Sequence, residues 1–170
     1  MKHLVLAAAL LTAAPAALAD DPKSFYTIGY TYAGIKVGGI TLNTNVLGGS
    51  VGWMPLRWLG LEGNGFWGVS SASLGGYDVK IDSGYMASVL PTLPLGEDWS
   101  LYGRVGYMNA RISISQLGSQ SDHDTALGVG AQWVPHWTDQ HMGARLEYTQ
   151  LYHKDGLTID GVTVSFVQKF

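Results

Sequence analysis

The sequence has 170 residues, a formal net charge of −3, 23 Gly, 6 Trp, 9 Tyr and no Cys. That length suits one domain, the missing cysteines exclude disulfides and thiolate metal sites, and a weak, mixed charge without a basic cluster excludes nucleic acid as a partner. Only 14% of the residues are charged, well below the roughly one quarter usual in soluble domains.

The chain opens on MKHLVLAAALLTAAPAALA, where Lys2 and His3 precede a short apolar run and Ala17-Leu18-Ala19 precedes Asp20. This is the charged start, apolar centre and small-residue cleavage site of a secretory signal peptide, too short and alanine-rich to span a membrane as a helix. The expected organisation is therefore a cleaved signal peptide over residues 1–19 and a single domain over residues 20–170.

From there the apolar period is two, and no helical period stands out. Phe25-Tyr26-Thr27-Ile28-Gly29-Tyr30-Thr31-Tyr32, Leu59-Gly60-Leu61-Glu62-Gly63-Asn64-Gly65-Phe66-Trp67 and Thr125-Ala126-Leu127-Gly128-Val129-Gly130-Ala131-Gln132-Trp133 each set large apolar groups on one face and Gly or polar groups on the other. Such two-faced runs read as strands. Eight of them are expected, at about 24–35, 42–54, 59–69, 80–91, 99–111, 123–134, 141–152 and 158–170. An even number allows hairpins that close on themselves. Connections after the second, fourth and sixth runs are Pro-rich and carry Trp; those near 36–42, 70–79, 112–122 and 153–158 carry Ser, Gly, Asp and Lys. One end of the structure should thus be aromatic and tight, the other polar.

Alternation suits a soluble lipocalin-like barrel as well as a membrane barrel. A soluble barrel needs a charged exterior, whereas the polar phase here is mostly Gly, Ser and Thr, which fits a cramped interior. Trp53, Trp58, Trp99, Trp133 and Trp137 gather at one end, with Trp67 alone toward the other, as expected of an interfacial girdle. A strand tilted by about 40° climbs roughly 2.5 Å per residue, so a band of about 25 Å takes about ten residues. From Trp99 the outward phase reads Leu101, Gly103, Val105, Tyr107, Asn109, Arg111, turning polar where that band should end. The same register turns Tyr102, Arg104 and Gly106 inward.

The chain closes on Val162-Thr163-Val164-Ser165-Phe166-Val167-Gln168-Lys169-Phe170, with Val162, Val164, Phe166 and Phe170 in the outward phase. If the last strand pairs with the first, both ends belong to the wall. A terminal Phe after alternating apolar residues is similar to the carboxy-terminal signature of bacterial outer-membrane barrels, from which Gln168 departs by standing where a hydrophobic residue is usual. With Leu101-Tyr102-Gly103-Arg104-Val105-Gly106-Tyr107 and the Pro-marked turns, residues 20–170 resemble the small eight-stranded outer-membrane barrel family of OmpA and OmpX type. That resemblance implies an all-β, closed, antiparallel up-and-down transmembrane barrel in the bacterial outer membrane, with both termini periplasmic. It also implies contact with lipopolysaccharide and outer-membrane lipid, recognition of the carboxy-terminal strand by the barrel-assembly machinery, and a monomer.

Glu62, Arg104, Arg145 and Glu147 fall on inward phases. Unpaired charges there would each cost several kcal/mol, so the two acids and two bases should pair across the lumen as a structural network. Eight strands leave an interior just wide enough for side chains, which opposes a diffusion pore and leaves a narrow gated path as the alternative. A lipid A-modifying enzyme is a second alternative: Ser113, Ser115, Ser121, His123, Asp124 and His153 lie toward the polar end, and acyl chemistry needs a base within reach of a hydroxyl. No cofactor is implied. His136 and His141 flank a turn without metal-site spacing. Asp78, Asp82, Asp122, Asp124, Asp155 and Asp160 face only Lys36, Lys80, Arg111 and Lys154 at the polar end, a setting that suits turn chemistry or a hard cation bridging to lipid phosphates. The function expected is envelope integrity or surface interaction through outer loops, without catalysis.

Overall fold

The computed structural model describes residues 24–37, 40–74, 77–114, 118–137, 141–154 and 157–170, so the expected signal peptide lies outside the described residues. Nine strand segments follow one another: β1 (Ser24–Val37), β2 (Ile40–Leu56), β3 (Leu59–Gly68), β4 (Ser71–Leu74), β5 (Tyr77–Leu95), β6 (Trp99–Ile114), β7 (Gly118–Trp133), β8 (Met142–Lys154) and β9 (Leu157–Lys169). Each pairs antiparallel with its chain neighbour, except that β3 pairs with β5 and β4 continues the line of β3 alongside β5. β9 returns to β1 from Phe25↔Lys169 to Val37↔Leu157. The wall is a closed ring of eight strands, and closure leaves no membrane-embedded backbone unpaired. Across this closing seam Ser24 and Phe170 exchange backbone hydrogen bonds of 3.1 and 2.8 Å.

Three features depart from the sequence reading. The third wall strand is broken at residues 69–70. A Cβ on Gly68 would collide with the Ile81 carbonyl, and the break is stitched to β2 instead: Val69 N–H donates to Asn45 O at 2.9 Å, Asn45 N–H to Ser70 Oγ at 2.7 Å, and Thr44 Oγ1 to Ser70 O at 2.9 Å. At the polar end the strands run on through segments expected as loops, to Val37, Leu74, Ile114 and Lys154 and again from Ile40, Tyr77, Gly118 and Leu157. Above the lipid both faces of a strand can be polar, so the wall continues where the hydrophobic period has already faded. β5 continues past Pro91 and Pro94 to Leu95. Between Val89↔Val105 and Thr92↔Tyr102 its ladder with β6 has no paired residues, which accommodates a ring without an N–H. At the tight end Gly96, with φ 84°, supplies the left-handed residue of the β5–β6 turn.

The interior is layered. Nearest the Trp end Phe25, Leu90, Tyr102, Val134 and Val167 pack with Met54. Farther along come Met86, Met108 and Ala126 with Phe66, Ala110 and Leu151, and then Ile35 and Ile159 with Leu42, Val79 and Ile112. Charged residues occupy the space between the first and second layers.

Candidate functional site

Parity along four strands builds the lumenal cluster. Glu62 lies on β3, Arg104 on β6, and Arg145 and Glu147 two residues apart on β8, so all four side chains share the inward phase; each is at most 8% exposed. Arg104 is the hub. Its Nη2 donates to Glu62 Oε1 at 2.7 Å and to Glu147 Oε2 at 2.9 Å, its Nε to Glu147 Oε1 at 2.9 Å, and its Nη1 to Ser88 Oγ at 2.8 Å. Arg145 donates to Glu62 Oε2 at 2.6 Å and to Gln132 Oε1 at 2.8 Å, with its guanidinium over the rings of Phe25, 4.5 Å away, and Tyr102, 4.9 Å away. Tyr102 Oη and Thr149 Oγ1 complete Glu147, at 2.7 and 2.6 Å.

Two positive and two negative charges cancel, and among the described residues no buried side-chain polar atom lacks a partner. A satisfied network of this kind fixes the geometry of the surrounding strands. Tyr102 reaches Glu147 because β7 offers Gly130 beneath its ring: a Cβ there would stand 2.5 Å from the ring. The network itself lines a cavity of about 90 Å³, together with Thr27, Asn64, Thr163, Val46, Phe66 and Met86. Apolar clusters lie on both sides of this polar centre.

Outside, the wall carries an apolar belt. Ile28, Leu47, Val51, Leu61, Val89, Leu101, Val105, Leu127, Val129, Leu146, Val162, Val164 and Phe166 are all exposed, an arrangement water does not tolerate over such an area. Trp53, Trp58, Trp99, Trp133 and Trp137 border it at one end, Trp99 and Trp133 with ring centres 6.2 Å apart. Phe170 joins them, 6.3 Å from the Tyr26 ring. Gln168, the outward polar residue near that end, accepts the Tyr26 hydroxyl at 2.5 Å across the closing β1–β9 seam, which gives its polarity a partner. Tyr32, Tyr85, Tyr107 and Tyr148 border the belt at the other end.

Beyond those tyrosines the exterior turns polar. Register places Ser83, Arg111 and Ser121 in one row across β5, β6 and β7, with Lys80, Ser113 and Ser119 in a second row and Tyr85, Asn109 and His123 in a third. Arg111 and Lys80 are exposed. Among the described residues neither has an ion pair or side-chain hydrogen bond. Asp82, at the β5 bulge, accepts the Ser113 hydroxyl. On the opposite side Lys36 pairs with Asp160 at 2.7 Å, and Tyr148 Oη donates to the same carboxylate at 3.0 Å.

Among the described residues, those considered for acyl chemistry do not assemble. Ser113 is bound to Asp82 rather than to a histidine, His123 leans on the Tyr107 ring with centres 5.7 Å apart, and the strand sets His123 and Asp124 on opposite faces. Ser115 and the His153 side chain lie outside the described residues. Nor does the polar end gather a cation site: among the described residues no three acidic or histidine side chains converge as metal ligands, and Asp155 lies outside them.

A clasp at the Trp end was not foreseen from the sequence. Asp98, in the turn after β5, accepts at Oδ1 both the backbone N–H and the ring Nδ1 of His136, at 2.8 and 2.7 Å, while its carbonyl accepts Val134 N–H at 2.9 Å. The hydrogen bond to Asp98 and its charge raise the His136 pKa above the ordinary 6.5; the reciprocal bond holds Asp98 below the usual 3.8. These residues are 38 positions apart, so only the pairing of β6 with β7 brings them together.

A closed ring of eight strands, with a charged and apolar interior and an apolar exterior between two aromatic borders, defines a transmembrane β-barrel. The chain belongs to the family described as outer membrane protein beta-barrel domain, matched over residues 4–170, and is a protein of the bacterial outer membrane. Solved structures sharing the fold include Ail, the attachment invasion locus protein of Yersinia pestis, in complex with the heparin analogue sucrose octasulfate. It is 20% identical, with 88% of this chain and 99% of that one covered at a TM-score of 0.65. Neisserial surface protein A is 13% identical over 86% and 97%, at 0.64, and a transmembrane β-barrel designed de novo is 12% identical over 88% and 98%, at 0.55. At such identities the likeness is one of fold. No curated protein sequence matches the chain.

Proposed function

We propose that this chain is a non-catalytic, monomeric outer-membrane barrel with a plugged lumen, and that its work is surface interaction: the polar end faces outward and holds phosphorylated or sulfated saccharide, above all the surrounding lipopolysaccharide. In this reading residues 1–19 are the signal peptide, both chain ends and the Trp border face the periplasm, and the assembly machinery reads the β9 strand ending at Phe170. The contact surface is the strand-borne wall rather than long loops.

The observation that carries the proposal is the row Ser83–Arg111–Ser121 with Lys80, Ser113 and Ser119 beside it. Two bases without side-chain partners among the described residues stand among hydroxyls immediately above the tyrosine border, where the sugar phosphates of an outer leaflet begin. Guanidinium and hydroxyl donors together suit phosphate and sulfate oxygens. Asp78, Asp82 and Asp122 are the acids nearest in register; Asp82 accepts the Ser113 hydroxyl and Asp122 the His123 N–H. The structure of Ail with a polysulfated sugar supports the choice of ligand class.

The test is calorimetric titration of the refolded protein with lipopolysaccharide and, separately, with sucrose octasulfate. The double variant R111A/K80A should bind at least one of them about tenfold more weakly, roughly 1.4 kcal/mol, while keeping a heat-modifiable band on a denaturing gel. Unchanged affinity for both, with the barrel intact, overturns the proposal. Loss for the lipid alone identifies the membrane as the source of the anion, and loss for the sulfated sugar alone a glycan.

A further inference from the structure

At the Trp end the lumen opens into a vestibule of about 680 Å³, a size usual for small-molecule sites. The buried part of its lining is Phe25, Leu90, Tyr102, Gln132 and Arg145. Met54, Leu56 and Pro94 add apolar surface, and the charged groups are Arg57 and Lys169 on the basic side and Glu97 and Asp98 on the acidic side. Both acids are turned toward the His136 ring, Asp98 at 2.7 Å and Glu97 at 3.7 Å from its Nδ1. With Arg145, the bases of the lining outnumber the acids, and the vestibule favours an anion.

Arg145 belongs to two spaces. It lines the inner cavity together with Glu62, Arg104 and Glu147, but of these four it alone also lines the vestibule. Register explains the difference. The pairs Ser100↔Gln132 and Gln132↔Arg145 set it one row inside Trp99, Trp133 and Ala144, whereas Arg104 lies farther in, on the row of Gly128 and Thr149. Arg145 Nε donates to Gln132 Oε1 at 2.8 Å and Nη1 to Glu62 Oε2 at 2.6 Å. A guanidinium has further donors beyond those two, and among the described residues Nη2 makes no hydrogen bond. The rings of Phe25 and Tyr102, 4.5 and 4.9 Å away, hold the group in place.

We infer that the vestibule is a binding site for a small carboxylate with an apolar body, its oxygens on the remaining donors of Arg145 and its body among Phe25, Leu90 and Met54. A guanidinium edge matches the two oxygens of a carboxylate. Charge limits the ligand to a monoanion, because Arg145 already answers Glu62 and a dianion would be buried against a single shared cation. Lys169, opposite Phe25 in the closing ladder, and Arg57 offset the added negative charge nearer the mouth. An acyl chain and the apolar carboxy-terminal residue of a peptide both have this chemistry. With the Trp border toward the periplasm, as proposed above, the ligand enters from that side; the binding itself does not depend on that orientation.

The test titrates nitrogen-labelled protein, refolded in lipid nanodiscs, with octanoate and with acetyl-Ala-Ala-Leu, each beside its terminal amide, and follows the side-chain and backbone N–H signals by NMR. At least one carboxylate should give saturable shifts of the Arg145 Nε–H and of the Leu90 and Tyr102 amides, and bind about tenfold more tightly than its amide. E62Q/R145M removes the cation together with its partner, so that no carboxylate is stranded; it should weaken binding about tenfold and keep a heat-modifiable band. Unchanged affinity in that variant overturns the inference, as does the lack of a saturable shift with either carboxylate, or an amide that binds as well as its acid. Should the variant lose its band, the wild type decides: the Arg145 Nε–H should move more than the Arg104 Nε–H, and equal shifts of the two overturn the site. A response to octanoate alone identifies an acyl chain as the source of the carboxylate, and to the peptide alone a protein terminus. R111A/K80A should leave this titration unchanged, so the two proposals fail separately.

Discussion

Arg104 holds three strands at once, through Glu62 on β3, Ser88 on β5 and Glu147 on β8. Removing it leaves two carboxylates, 4% and 8% exposed, without their common counter-ion, so Arg104→Met should destabilise the barrel by about 3–5 kcal/mol. The check is the urea midpoint of the heat-modifiable band, and an unchanged midpoint would remove the network from the account of stability. Glycines give a sharper contrast at the same scale. A Cβ at Gly130 would press on the Tyr102 ring that carries the hydroxyl to Glu147, whereas a Cβ at Gly63 would meet nothing within 4 Å. Gly130→Ala should therefore cost about 1–3 kcal/mol by overpacking, with Gly63→Ala close to neutral in the same assay. Equal effects of the two would show that the interior relaxes freely around Tyr102.

Strands and turns differ in what set them. The period-two runs of β1, β6 and β9 could be read from residue order, because a half-buried strand writes its environment into alternate positions; the inward set Tyr102, Arg104 and Gly106 on β6 came from that parity alone. Ser88, Gln132 and Thr149 lie on inward phases too, but polarity without charge gave no signal to single them out. The break at 69–70 depends on a close approach of Gly68 to β5 that no local pattern records, and the long polar ends depend on hairpin pairing that continues after the hydrophobic period stops. Asp98 and His136 meet only because two turns are adjacent in space, and their clasp has a pH window of its own. Raised in the folded state, the His136 pKa makes its contribution complete below about 6.5 and lost as pH rises through the folded value; the depressed Asp98 pKa makes its contribution present above about 3.9 and lost as pH falls through its folded value. The clasp should be tightest at mildly acidic pH. Amide exchange of Val134 and His136 should quicken from pH 5.5 to pH 8.5 more than the intrinsic base-catalysed rise, and Asp98→Asn should abolish that excess. Exchange following the intrinsic rate across the window would mean the turns do not depend on the charged pair.

At the scale of the whole molecule, closure and filling decide whether anything crosses. Closure was legible from the two ends of the chain, since a first and a last strand of matching alternation can each supply the other's missing neighbour. Filling was legible only as far as the four charges. The apolar layers that bracket them draw residues from many strands, with Phe25, Leu90, Tyr102, Val134 and Val167 on one side and Met86, Met108 and Ala126 on the other. An ion passing the lumen would have to pass both apolar clusters, and bare charge in such surroundings is costly by many kcal/mol. Reconstituted into planar bilayers, the wild type should show no conductance steps at either polarity. The informative variant is E62Q/R104M, which dismantles the network while leaving both apolar layers: it should lower stability and still conduct nothing. Steps from that variant would mean that the charged centre is itself the gate, and steps from the wild type that the apolar layers part to let ions through.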